Sequence, residues 1–237
     1  MFCTNCGATL PENSTFCTSC GRPVGSSGMD AGLPPPLPGG VEFVPPETIE
    51  VRTGAWISEG WNIVKSDLMN FALMALLLAV VSNVVPIILQ GAMVAGMHIV
   101  IMKKMVGART EIGDLFKGFN FFVPTLVASV LISVFVFCGM ILCIIPGLVA
   151  AAALSFSYLF IVDRKMDFWP AMQASHAVVK KNYVGFTLFI FVAGLIAGLG
   201  LLACIVGIFI TMPIYFAAIT VAYRETVGFA SDPAAIQ

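Results

Sequence analysis

Residues 119–162 form a run of 44 without a single charged side chain, interrupted near the middle by Ile145-Pro146-Gly147. One helical crossing of about 30 Å of hydrocarbon takes roughly 20 apolar residues, so this run is twice too long for one span and suits two. It predicts a helical hairpin turning at the Ile-Pro-Gly. Residues 68–102 and 182–223, blocks of 35 and 42, are likewise free of Asp, Glu, Lys and Arg. Hydrophobic residues make up 59% of the chain and charged ones 11%, against about 45–50% and 25% in soluble proteins. A water-soluble fold cannot hide that much apolar surface. The expectation is an all-α polytopic membrane protein, with six transmembrane helices as three hairpins over residues 54–228.

The placement of charge predicts the orientation of the hairpins. All twelve Lys and Arg residues lie before, between or after the three blocks, and the proposed tips near Pro86, Pro146 and Gly200 carry none. Basic residues beside spanning segments stay on the cytoplasmic side. Three hairpins with basic joints therefore place both termini in the cytosol of a cell bounded by an inner (plasma) membrane. The N-terminus lacks a basic start followed by an apolar core, so no cleavable signal peptide is expected. The formal net charge of −1 gives no overall pull toward nucleic acid or acidic lipid.

Residues 1–24 repeat a cysteine knuckle, Cys3-Thr4-Asn5-Cys6-Gly7 and Cys17-Thr18-Ser19-Cys20-Gly21. Two thiolates two residues apart can face one ion, and the following glycine lets the backbone wrap tightly around it. Two such knuckles complete a tetrahedral set, so Cys3, Cys6, Cys17 and Cys20 are the expected ligands of a structural Zn²⁺. Two disulfides are the alternative, but a cytosolic head keeps its thiols reduced. The segment is similar to the short zinc-ribbon heads of many bacterial membrane and regulatory proteins. Only Arg22 is basic in it, too few cations for phosphate binding, so a protein partner is expected rather than nucleic acid.

Residues 25–50 are rich in Gly, Ser and Pro, including Leu33-Pro34-Pro35-Pro36-Leu37-Pro38. Prolines remove backbone donors and hold polyproline angles, which predicts an extended tether. Residues 54–67 place Trp56, Ile57, Trp61, Ile63 and Val64 along one helical side, read as a helix on the membrane surface with its tryptophans at the headgroups. A second amphipathic stretch covers residues 166–181. The first block is expected to turn at Ser82 to Pro86 and the third between Gly198 and Gly207. Small residues Gly91, Ala92, Ala95 and Gly96 would let the second helix approach a neighbour closely. Residues 229–237 read as a short polar tail. A weak repeat relates Val64-Lys65 before Phe71 to Val179-Lys180 before Phe186, and Gly139 with Cys143 to Gly200 with Cys204.

Chemistry is sparse. The interiors of the blocks contain no ionisable group except His98, five residues before Lys103, and it is expected to meet a polar neighbour or the interface. His176 has no nucleophile or carboxylate at a telling distance. Asp163, Arg164, Lys165 and Asp167 form a charged cluster at a membrane exit, read as an anchor or a lipid-headgroup contact. Cys138, Cys143 and Cys204 are expected to behave as small apolar residues. No Walker loop, HExxH or GxSxG element is present, and no catalytic residue is assigned.

Residues 56–228 resemble a bacterial family of six-span proteins related to the membrane domain of some glycerophosphodiester phosphodiesterases. The likeness rests on Gly113-Asp114-Leu115-Phe116 with Gly118-Phe119, on Ile145-Pro146-Gly147, and on Asp163, Trp169-Pro170-Ala171 and Ser175. Lys181-Asn182 with Gly185 and Tyr223-Arg224-Glu225 complete it. The resemblance implies a fold and a membrane location without the catalytic domain. The function expected is a non-enzymatic one, scaffolding, partner recruitment or regulation at the membrane. A small transporter and a membrane-bound lipid enzyme are the alternatives.

Overall fold

A computed structural model of the chain describes residues 43–84, 88–202 and 207–236. The chain divides at Gly40–Val41, and all described residues belong to the second unit. They form nine α-helices and three short 3-10 segments, with no strand among them.

Helix α1 (Thr53–Lys65) buries Trp56, Gly60 and Val64, one residue per turn, against α9 (Ile208–Thr226). A Cβ on Gly60 would lie 2.8 Å from the Ala218 amide nitrogen, so glycine sets how close the two backbones come. Trp56 does not face outward, contrary to the expectation of a headgroup-facing side chain. It is fully buried, its ring lies edge-on to Phe189 at 5.0 Å, and its indole N–H donates to Glu225 at 2.6 Å. A buried tryptophan needs a partner for that N–H, and the end of α9 supplies one in place of water. Trp61 stays at the surface, 38% exposed.

The chain then bends by 98° into α2 (Leu68–Val84). Ser66 Oγ donates to the Ile63 carbonyl, and Asp67 accepts from the Asn70 amide. These side chains take up backbone and polar groups that a straight helix would leave idle. Helix α3 (Gln90–Met105) is buried on all sides from Gly91 to Lys103, which makes it the central helix. Its small residues do what the sequence predicts. A Cβ on Gly96 would collide with the Leu115 carbonyl oxygen, one on Gly118 with that of Ala92, and one on Gly91 with that of Thr125.

A 3-10 segment (Ile112–Phe121) leads into α4 (Phe122–Leu142). The turn of the central hairpin falls at Cys143, which is extended at φ −175°, ψ 153°, three residues before the expected Pro146. Helix α5 (Ile144–Ala153) already contains Pro146 in its first turn, where a missing N–H costs nothing because no intrahelical partner exists there. Gly139 lies against Gly147 so tightly that a Cβ would be 2.7 Å from it. After α5 the helix breaks at residues 154–156 and resumes as α6 (Ser157–Arg164). Ser175, on α7 (Phe168–Val179), fills the break: its Oγ donates to the Ala153 carbonyl at 2.7 Å and accepts from the Phe156 amide at 3.1 Å. Irregular backbone in an apolar surrounding survives only where another group satisfies it. Ser175→Ala is expected to lower stability by about 1–3 kcal/mol, read as earlier thermal unfolding in detergent.

Helix α7 does not lie apart as a separate surface helix. It continues through Lys180–Asn182 into α8 (Tyr183–Leu202), a helical run of 33 residues from Phe168 to Gly200. Among the described residues, three runs are long and apolar enough to cross a membrane: Ile112–Leu142, Ile144–Arg164 and Phe168–Gly200. The bent α1–α2 pair raises that to four. The six spans expected from the sequence are therefore not all met by length and composition, since α3 has 16 residues and α9 ends in Arg224 and Glu225.

The repeat is visible in packing. Val64 and Phe71 are buried, as are Val179 and Phe186. Gly139 meets Gly147 and Gly200 meets Gly207 across their hairpins. The body also begins before α1: Phe43, within the stretch read as tether, packs on Phe160 at 4.9 Å under the Arg164 guanidinium.

Candidate functional site

The charged side chains gather where helices start and stop. Asp114 opens the 3-10 segment in a capping box with Glu111: each side chain accepts the other's backbone N–H. Its carboxylate also receives Lys103 Nζ at 2.7 Å and Lys117 Nζ at 3.0 Å. Lys103 ends α3 and is only 6% exposed, so this pair is buried and neutralised in place. Lys104, one residue on, pairs with Asp67 at 3.1 Å, joining the start of α2 to the end of α3. The Asn70 hydrogen bond, opposed by slight burial and aided by Lys104, holds the Asp67 carboxyl below its usual range. Arg224 pairs with Glu59 at 2.9 Å, and Arg52 with Glu225 at 2.6 Å.

Asp163, at the end of α6, is 2% exposed and is a structural anchor, the first of the two readings, rather than a headgroup contact. It accepts from the Tyr223 hydroxyl at 2.9 Å, from the backbone N–H groups of Ala230 and Ser231, and from the Ser231 hydroxyl. Residues 229–236 thereby dock on the bundle, with Ile236 buried and its carbonyl accepting from Lys117. A buried carboxylate with this many donors needs no cation. Asp163→Ala is expected to free the C-terminal segment, for about 2–3 kcal/mol, read as new protease cleavage after residue 228.

His98 meets a polar neighbour, as expected: its Nδ1 is 2.8 Å from the Thr220 hydroxyl of α9, and Phe216 lies edge-on to its ring. Both residues are buried. His176 hydrogen-bonds the Tyr183 hydroxyl. Cys138 and Cys143 are free and exposed on the apolar central hairpin. Among the described residues no group of three or more His, Cys, Asp or Glu could hold a metal ion.

The four predicted zinc ligands, Cys3, Cys6, Cys17 and Cys20, lie outside the described residues, as does Cys204. Residues 2–24 match the zinc-ribbon domain family. That match covers both cysteine knuckles, and their four thiolates are a complete donor set for tetrahedral Zn²⁺. The match implies zinc binding as for ribbons in general. No curated protein and no solved structure matches the chain.

The clamp at Asp163 and the Trp56–Glu225 bond were not foreseen from the sequence. A signal for the first existed in an acid placed just after an apolar run with no nearby basic partner on the helix side. The Glu111-Ile112-Gly113-Asp114 spacing was a readable capping box.

Proposed function

We propose that this is an integral membrane protein whose zinc-ribbon head recruits or senses a partner protein at the membrane, while the helical body anchors and scaffolds it. The head is cytosolic, and the body crosses the inner membrane six times as three hairpins. The observation that carries this reading is the meeting of helix ends. Asp67 with Lys104, Lys103 with Asp114, Asp163 with Tyr223 and Ser231, and Arg224 with Glu59 tie the start of α2, the start of the 3-10 segment and the middle of α1 to the ends of α3, α6 and α9. Polar joints held together at one end favour segments that cross in pairs, and their lysines and arginines favour the cytosolic leaflet. The likeness to the bacterial six-span family points the same way. The reading is non-enzymatic: its polar groups are consumed by one another, as in the Asp114 and Asp163 clusters.

Reporter fusions test the orientation. Fusions at Gly113 and Gln237 are expected to be active only for a cytosolic reporter, and activity of a periplasmic reporter at either position would sink the paired crossings. Site-specific crosslinking from the head in cells tests recruitment. A defined adduct is expected with the intact head and is expected to disappear in Cys6→Ser. Solute flux through the reconstituted body without the head, and no adduct with it, would give the transporter reading precedence.

A further inference from the structure

Between the α1–α2 joint and the loop after α3 lies an open cavity of about 380 Å³, lined by Asp67, Lys104, Gly107, Arg109, Thr110 and Glu111. Two of these side chains are cationic and two are carboxylates. Lys104 and Asp67 face each other at 3.1 Å, and one Glu111 oxygen accepts the Asp114 amide. The Arg109 guanidinium is exposed and has no ion pair or hydrogen bond among the described residues. Gly107 turns the loop with φ +73°, a conformation that suits glycine. On either side of the loop, Val106 and Ile112 are 45% and 41% exposed.

A simple anion entering here would meet two carboxylates, and a simple cation would meet two basic groups. A ligand carrying both signs a few bonds apart satisfies both. We propose that this cavity is a headgroup site for an aminophospholipid, with the phosphate on Arg109 and Thr110 and the primary ammonium on Glu111 and Asp67. Charge-assisted hydrogen bonds of this kind are roughly twice as strong as neutral ones. They also distinguish a primary ammonium, which donates, from a trimethylated one, which does not. Val106 and Ile112 then meet the first carbons of the chains, which a soluble headgroup lacks. The inference rests on the proposed placement of the charged joints at the bilayer surface. The reporter fusions test that placement separately, so a correctly inserted chain without this site fails only in the experiment that follows.

The full-length protein is reconstituted in phosphatidylcholine vesicles. These contain equal traces of phosphatidylethanolamine, phosphatidylglycerol or phosphatidylcholine, each with a photoreactive group near the glycerol. Labelling of the peptide that holds residues 105–117 is then measured. The expected result is several-fold higher labelling by phosphatidylethanolamine than by the other two. Arg109→Gln, a change at an exposed loop residue, is expected to remove the excess. Glu111→Gln keeps an acceptor for the Asp114 amide and is expected to shift the preference to phosphatidylglycerol. Equal labelling by all three lipids, a phosphatidylglycerol preference in the unaltered protein, or no effect of Arg109→Gln would overturn the site. Full displacement of the label by free phosphoethanolamine at a concentration no higher than that of the labelled lipid would overturn its assignment to a lipid, because the chains would then add nothing to binding.

Discussion

Stripping zinc from the full chain, or replacing Cys6 and Cys17 with serine, is expected to unfold residues 1–24 and leave the helical body intact. A segment of that length, with Phe2, Leu10 and Phe16 as its larger apolar residues, buries too little to fold unaided. Apparent zinc binding in comparable small domains is worth about 10–16 kcal/mol near neutral pH, and that binding free energy is the folding free energy. The body offers no competing group, since among the described residues no cluster could hold the ion. The measurement is zinc content by mass spectrometry, expected to fall from one per chain to none. It is paired with proteolysis of the head and with thermal unfolding of the body in detergent. Cleavage within residues 1–24 is expected to appear while the body's unfolding temperature stays put. A head that keeps its protease resistance without metal would refute the assignment.

Asp114→Ala is expected to cost about 3–5 kcal/mol, the cost of leaving a buried charge without its partner. Lys103 Nζ is 2.7 Å from that carboxylate and nearly enclosed at the end of the central helix, so it cannot simply turn to water. The same substitution removes half of the capping box with Glu111 and the partner of Lys117. The consequence is a loosened 3-10 segment, and with it the seat of Gly118 on α3. Lys103→Met in the same chain is expected to recover much of the loss, because a buried pair replaced by apolar groups of similar size is often neutral. Thermal unfolding of the two single variants and the double variant in one detergent gives the coupling directly. Additive losses would mean that the pair does not act as a unit.

What the sequence made legible, and what it did not, follows from the range of the interactions. Helices and hairpins show in uncharged runs because each residue reports its own solvent preference. The small residues of α3 could be read because a Gly-Ala-rich face has few other uses. Trp56 could not, because its ring is equally suited to a headgroup layer and to a core with a hydrogen-bond acceptor. The deciding partner, Glu225, lies 169 residues away. Pro146 marked the hairpin turn three residues late, since proline tolerates the first turn of a helix as well as the loop before it. Asp163 looked like a membrane-edge anchor because its four donors come from Tyr223 and from a tail whose sequence reads as polar and loose. The zinc ribbon was readable from spacing, because two knuckles repeat the same local pattern and residues 2–24 match that family.

The enclosure of α3 bears on how the chain is made. Its glycine-rich side is shaped to the carbonyls of Leu115 and Thr125, which leave the ribosome later, and α9 later still. A nascent chain cut off at Gly107 would carry a Gly-pocked helix with nothing seated in its hollows, and His98 without Thr220. Such a fragment is expected to be removed by membrane proteases, whereas one extending through α9 is expected to persist. The enclosure of α3 is thus complete only once α9 has been made and packed against it.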